Sequence, residues 1–260
     1  MKLLLAGSRL TAKCAGRLSL IVILLTWLAA LSVTAGKAAR PLHEDVTAYL
    51  KKVVTTDGQV NYTAAVRDAA TLQTLVRQVQ TYDLKATTPA DREAFYLNAY
   101  NLLVIKAVVD AYPLASVMKL PGFFDKKKYA VAGEELTLNE LENNKLRKPY
   151  ADPRIHFALV CGARGCPRLR PEAYAPATLD AQLTDQARQV LQDPQFIRVD
   201  AAGKKVLVSE IFKWYEADFK ATGKSTLAYI NQFRGSKPIP ATATVDFYAY
   251  DWSLNNQRAK

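Results

Sequence analysis

The chain has 260 residues, of which 50% are hydrophobic and 23% are charged. This composition excludes a disordered chain, a collagen-like repeat and a mini-protein, because enough apolar surface is present to bury a full core. The formal net charge is +11, but the basic residues form no stripe of the kind that binds nucleic acid, so we expect no nucleic-acid partner.

The N-terminal segment has the pattern of an export signal. Residues 18–31 carry no charge and follow four basic residues, Lys2, Arg9, Lys13 and Arg17. This apolar run is shorter than the roughly 20 residues that span a bilayer, and small residues at 33–35 resemble a cleavage site. We therefore predict a signal peptide over residues 1–35 and a periplasmic or secreted protein. An uncleaved inner-membrane anchor at residues 18–31 is the alternative.

Removal of residues 1–35 would leave 31 Lys and Arg against 24 Asp and Glu. In residues 36–260, which we expect to form one globular domain, hydrophobic periodicity first predicts helices over 44–54 and 64–79. A third helix over 88–111 is marked by Thr88 as N-cap and Pro89 in the first turn. Its middle is apolar on nearly all sides, which indicates a central buried helix.

The second half mixes short strands with helices. We predict strands over 128–131 and 135–136, then a helix that a Thr137–Glu140 capping box opens and that runs to about 146. Residues 154–160 (RIHFALV) are predicted as a buried strand. The remaining predictions are helices over 176–191, 210–219 and 225–233, a hairpin of 196–199 with 205–208, and a strand over 245–250. The predicted class is α+β, a single domain whose helix-rich N-terminal half packs on a small mixed or antiparallel sheet.

Polar residues in apolar surroundings are the candidates for chemistry, because their burial needs compensation. Asn98 and Asn101 lie on one side of the central helix, where a structural role is the favoured interpretation. Glu142 lies in the capped helix, where exposure to solvent is favoured on spacing alone. His156 is the only histidine besides His43 near the mature N-terminus, and it precedes a loop that carries Cys161. Odd spacing along a strand would direct His156 and Cys161 to opposite faces.

Cys161 and Cys166 are the cysteines left after removal of the leader. In an oxidising compartment they form a candidate disulfide, although one that closes only a small loop. Four residues separate them, which is not the usual zinc-knuckle spacing, and no second histidine is near. We therefore expect neither a metal nor a cofactor.

Seven segments in order resemble the domain-of-unknown-function 547 family over about residues 45–255. They are 95–101 (FYLNAYN), 125–127 (DKK), 138–142 (LNELE), 152–159 (DPRIHFAL), Cys161 with 166–167 (CP), 211–215 (IFKWY) and 250–255 (YDWSLN). The resemblance implies an exported bacterial member with no settled activity. It also implies distinctive polar positions at Asn98, Asn101, Glu142, His156, Cys161, Cys166 and Asp251.

One position departs from the family pattern, since Asn143 stands where many relatives have a histidine. A mechanism that uses this second imidazole is therefore not expected here. The family also occurs inside cells, where disulfides are rare, so the resemblance implies that the two cysteines do more than form a structural disulfide.

The leading hypothesis is a cysteine-dependent hydrolase or acyltransferase acting on a cell-envelope amide or ester. Cys161 or Cys166 would attack a carbonyl, His156 would transfer protons, Glu142 or Asn98 would orient the imidazole, and glycine-flanked amides near Cys161 would bind the oxyanion. Substrate contacts are expected from Asn101, Arg164, Arg168, Trp214 and Asp251. A non-catalytic envelope binding or assembly module with a structural disulfide is the alternative, and redox exchange by the two cysteines is a third hypothesis.

Overall fold

Residues 40–257 are described by the computed structural model, so the predicted signal segment lies outside the described part of the chain. The first half consists of helices, α1 (Leu42–Val53), α2 (Tyr62–Arg67), α3 (Ala69–Gln80) and α4 (Pro89–Ala111). The predicted helix over 64–79 is in fact divided at Asp68, which leaves helical geometry and separates α2 from α3.

Helix α4 is the central element, as predicted. The Thr88 side chain accepts a hydrogen bond from the backbone of Asp91, and the Asp91 carboxylate accepts one from the backbone N–H of Thr88. This capping box satisfies N–H groups that the first turn leaves free. The helix ends before Tyr112, whose extended backbone is the conformation that the following Pro113 favours. Its residues are buried almost without interruption from Ala94 to Val108.

A short hairpin and a continuous irregular helix follow. Strands β1 (Tyr129–Val131) and β2 (Glu134–Leu136) pair in antiparallel fashion. Thr137 and Glu140 form the predicted capping box of α5 (Leu138–Glu140). The helix then continues as a π-helical segment, Leu141–Arg147, and as α6 (Lys148–Tyr150), so it ends later than the predicted residue 146.

The strand predicted over residues 154–160 is wrong, because Ile155–Ala158 form a single helical turn, α7. The Asp152 carboxylate accepts a hydrogen bond from the Arg154 backbone at 2.9 Å, which starts the turn. Asn101 then bonds the Ala158 carbonyl at 3.0 Å and the Val160 N–H at 2.9 Å, where a strand would bond a neighbouring strand. A short apolar run does not distinguish these two outcomes by periodicity.

The C-terminal part supplies the larger sheet. A 3₁₀ turn at Pro176–Thr178 leads into α8, and the later helix predicted over 210–219 is divided at Tyr215 into α9 and α10. The elements are α8 (Leu179–Gln192), β3 (Ile197–Val199), β4 (Lys205–Ser209), α9 (Ile211–Trp214), α10 (Glu216–Lys220), α11 (Thr226–Asn231) and β5 (Thr244–Tyr248). The strand order is β3-β4-β5, with β3 antiparallel and β5 parallel to β4.

The predicted α+β class is confirmed, and two apolar clusters form its core. One cluster surrounds α4 and includes Ile155, whereas the other surrounds the sheet and includes Phe157. His156 lies between these two residues on α7. The single helical turn therefore holds the imidazole where the two clusters meet.

Candidate functional site

A pocket of about 340 Å³ brings His156, Glu142, Cys161 and Cys166 together in one wall. The rest of the wall is mainly aromatic, so we call this the aromatic pocket; its aromatic residues are Tyr100, Phe124, Trp214, Tyr215, Tyr250 and Trp252. Both cysteines are partly exposed. An apolar pocket with a few convergent polar groups is the usual form of a small-molecule site.

The imidazole of His156 has a carboxylate partner that the sequence did not reveal. Its Nε2 lies 2.8 Å from Oδ2 of Asp218 on α10, and its side chain is only 1% exposed. Arg147 donates to the same carboxylate from Nε at 2.8 Å and from Nη2 at 3.0 Å. The hydrogen bond from His156, followed by that from Arg147, lowers the pKa of Asp218 well below its usual range. Asp218 is therefore an ionised residue that orients the buried ring.

The π-helical segment explains how Glu142 and Arg147 reach the same site. Hydrogen bonds between residues five apart place such residues on one face, whereas an α-helix would separate them. Glu142 accepts a hydrogen bond from Tyr215, and burial, followed by the charge of Glu142, raises the pKa of that phenol. The Tyr215 ring stacks on His156 at 3.8 Å between centroids, with the Arg147 guanidinium 4.8 Å from the ring centre.

Cys161 and Cys166 form a disulfide with Cα atoms 6.4 Å apart. The Tyr250 hydroxyl lies 3.1 Å from Sγ of Cys166 and 3.3 Å from Sγ of Cys161, and the Cys161 N–H donates to Sγ of Cys166 at 3.0 Å. Burial raises the pKa of Tyr250, which keeps the phenol protonated and able to donate. Two donors thus point at the Cys166 sulfur.

Three of the loop amides after Cys161, the region expected to bind an oxyanion, already have backbone partners. The backbone N–H groups of Arg164, Gly165 and Cys166 donate to the carbonyls of Ser253, Asp251 and Ala163, respectively. These bonds hold the loop against the C-terminal segment. The Tyr250 hydroxyl is a side-chain donor that lies beside the sulfurs and belongs to a residue lining the pocket.

The two asparagines of α4 have other contacts. Asn98 donates to the Tyr174 carbonyl at 2.7 Å and accepts from the Tyr174 N–H at 2.8 Å. Asn101 makes the equivalent pair of bonds to Ala158 and Val160. Neither lines the aromatic pocket. The hydrogen-bond partner of His156 is Asp218, not Glu142 or Asn98.

The other expected substrate contacts are divided between two pockets. Trp214 lines the aromatic pocket and is 44% exposed. Arg164, Arg168 and Asp251 line a second pocket of about 400 Å³, which shares only Cys166 and Pro167 with the first. Arg164 binds Gln59 and the Asn256 carbonyl there, and Arg168 pairs with Asp193 at 3.0 Å.

Arg147, Tyr215, Asp218 and Tyr250 are among the site residues that sequence reasoning missed. Tyr215 and Tyr250 lie within the motifs at 211–215 and 250–255, so the motif positions were a usable signal. Asp218 follows Tyr215 by three residues and therefore lies one turn further along. Arg147 carried no comparable signal, because its position depends on the π-helical geometry.

Neither a metal centre nor a membrane span is found in the described residues. Between residues 40 and 257 no three His, Cys, Asp or Glu side chains are grouped so that they could hold a metal ion. The helices in this same stretch are too short or too polar to cross a bilayer.

Comparison with known proteins identifies part of the chain. The family described as "Protein of unknown function, DUF547" matches residues 84–191. No curated protein and no solved structure matches the chain. The matched range contains Glu142, His156 and both cysteines, whereas Tyr215, Asp218 and Tyr250 lie beyond it. Residues 84–191 of this chain are therefore a DUF547 domain, which the C-terminal segment supplements in building the pocket.

Proposed function

We propose that the aromatic pocket is the active site of a thiol-dependent acyltransferase or hydrolase, with Cys166 as the nucleophile. The observation that carries this proposal is the pair of donors, the Tyr250 hydroxyl and the Cys161 N–H, at Sγ of Cys166. Donors at a sulfur favour its thiolate, which is the reactive form of cysteine. The proposed substrate is an amide or ester of the cell envelope, and this location rests on the signal-like pattern of residues 1–35.

The active form requires the dithiol. A dithiol reductant first transfers two electrons to the Cys161–Cys166 disulfide and becomes a disulfide itself. The Cys166 thiolate then attacks the carbonyl carbon, a carbon–sulfur bond forms, and the bond to the leaving amine or alcohol breaks. The leaving group takes the proton that the Cys166 thiol gave up and that His156 carries, and water or an acceptor nucleophile then cleaves the thioester and returns a proton to the sulfur, which restores the thiol.

The remaining pocket residues have separate roles in this scheme. His156 transfers the leaving-group proton while the Asp218 carboxylate holds the ring in place, as the third member of a catalytic triad does. Arg147 fixes Asp218 through two hydrogen bonds. The Tyr250 hydroxyl donates first to the thiolate and then to the oxyanion that forms beside it.

The test is turnover of p-nitrophenyl acetate by the full chain before and after reduction with dithiothreitol. We expect turnover only after reduction, and its loss in Cys166→Ala. Cys14→Ala is the control, since Cys14 belongs to the predicted signal segment and to none of the seven motifs, and we expect an unchanged rate. Folded Cys166→Ala protein with unchanged turnover would refute the mechanism.

A non-catalytic envelope binding or assembly module is the second candidate. The formed disulfide and the 44% exposure of Trp214 favour it. On this alternative, alkylation of the denatured protein finds no free thiol at Cys161 or Cys166, and reduction produces no esterase activity.

A further inference from the structure

We propose that the aromatic pocket binds a primary alkylammonium group, with the Glu142 carboxylate as its counter-ion. This inference deepens the proposed function, because it states the substrate class as an amide or ester that carries an aliphatic amine. The inference rests on the proposed function in treating the bound molecule as a substrate, but binding itself can be measured without any turnover.

The first observation is that Glu142 is buried without a partner cation in the described part of the chain. The residue is 7% exposed and lines the pocket. Among residues 40–257 no Lys, Arg or His forms an ion pair with it, although charges this deeply buried are normally paired. Tyr215 supplies one hydrogen bond, and a carboxylate has about four acceptor positions. Acceptor capacity for a cationic donor therefore remains at Glu142.

Arg147 does not fill this role. The hydrogen bond to Asp218 is the main cause that raises the pKa of Arg147, and the charge of Glu142 contributes further, so Glu142 and Arg147 interact across the site. However, the Arg147 nitrogens bond Asp218 in bidentate fashion and also contact Asn143. The charge of Arg147 is therefore balanced by Asp218, and Glu142 remains without a direct partner cation.

The aromatic wall is the second, independent observation. Trp214, Tyr250 and Trp252 contact one another with ring centroids 4.8 to 5.8 Å apart, and all three line the pocket. Aromatic faces attract organic cations, with indole the most effective ring. The same faces also bury the methylene groups of an alkyl chain.

The acceptors select the kind of cation. Glu142 and Asn139 both line the pocket, and the side chain of each residue carries oxygen acceptors. A primary ammonium has three N–H donors for such oxygens, whereas a quaternary ammonium has none. The pocket chemistry thus fits an amine at the end of an aliphatic chain.

The experiment titrates the full chain with n-pentylammonium chloride and follows the fluorescence of Trp214 and Trp252, with heat of binding as a second readout. n-Pentanol and tetramethylammonium chloride are the matched neutral and quaternary probes. We expect saturable binding of n-pentylammonium, at least about tenfold tighter than either comparison probe. Glu142→Gln should remove this difference, while Glu135→Gln, at an exposed position outside the pocket, should preserve it.

Equal affinity for n-pentanol and n-pentylammonium in the native chain would overturn the inference even if Glu142→Gln does not fold. The absence of binding up to high millimolar concentration would overturn it as well. Tighter binding of tetramethylammonium would contradict the role of the oxygen acceptors. Titration of the oxidised native chain separates the two proposals, because the intact Cys161–Cys166 disulfide permits no thiol chemistry while binding at Glu142 should still occur.

Discussion

His156 and Asp218 lie 62 residues apart in the sequence, yet Nε2 of the imidazole is 2.8 Å from Oδ2 of the carboxylate. This contact joins α7, within the DUF547 domain, to α10, beyond it. Arg147 completes the group from the π-helical segment. The site is therefore a junction of three segments, each fixed by a different local structure.

Asp218→Asn should destabilise the fold at neutral pH. The substitution removes the charge that pairs with Arg147 and His156, both of which are largely buried, and we expect a loss of about 2 kcal/mol. Urea unfolding measures the change. The control Asp246→Asn breaks an exposed pair with Lys205 and should change stability by less than about 0.5 kcal/mol.

The Asp218 carboxylate should also make the free energy of unfolding depend on pH in the acidic range. Since the pKa of Asp218 is lowered in the folded state, its contribution is present above the pKa of the unfolded chain and is lost as pH falls below it. Unfolding curves between about pH 5 and pH 2 should therefore show a smaller decline for Asp218→Asn than for the native chain. Parallel declines would contradict the ion-pair assignment.

Glu93 should give the opposite pH dependence. Burial, with a further contribution from Asp152, raises its pKa to about 7, and its Oε1 has no hydrogen-bond partner within the described structure. The unfolded chain releases this proton near the ordinary value of 4.5, so stability falls as pH rises from there to about 7. Glu93→Gln should be more stable than the native chain at pH 8, by on the order of 1 kcal/mol after solvent screening is considered. Thermal unfolding at pH 5 and pH 8 tests this prediction. The control Glu135→Gln should not be more stable than the native chain at pH 8.

Asn101→Ala should be strongly destabilising. It leaves the Ala158 carbonyl and the Val160 N–H without partners in the core, at about 1–3 kcal/mol each. Denaturant unfolding measures the loss, and the exposed Asn144→Ala is the matched control. A cost below about 1 kcal/mol would show that Asn101 does not hold the segment before Cys161.

Tyr250→Phe should slow the chemistry of the reduced Cys166. The phenol donates to Sγ of Cys166, so its removal should raise the thiol pKa and lower the rate of alkylation by iodoacetamide several-fold at neutral pH. The neighbouring Tyr248→Phe, whose hydroxyl bonds the Phe196 carbonyl, should react at the native rate. Equal rates for the two variants would remove the reason for choosing Cys166 as the nucleophile.

Local signals predicted much of the fold. Thr88 with Pro89, and Thr137 with Glu140, mark helix starts through contacts within a few residues, and both were predicted from the sequence. Residues 154–160 were misassigned because their structure depends on Asn101, more than fifty residues away. Periodicity contains no information about such a distant partner.

The candidate site was predictable only in part. His156 and the cysteines were recognisable by residue type, and Glu142 by the family resemblance although its spacing favoured exposure; the structure brings all four to one pocket. Asp218 and Arg147 were not recognisable from the sequence. The place of Asp218 depends on its tertiary contact with His156, and that of Arg147 depends on the π-helical register.

The most direct test of the thiol mechanism is mass spectrometry of the reduced full chain after brief exposure to p-nitrophenyl acetate. The account predicts an acetyl thioester on Cys166, little on Cys161, and no adduct when the Cys161–Cys166 disulfide is intact. Acetylation confined to Cys161, or turnover without any cysteine adduct, would contradict it.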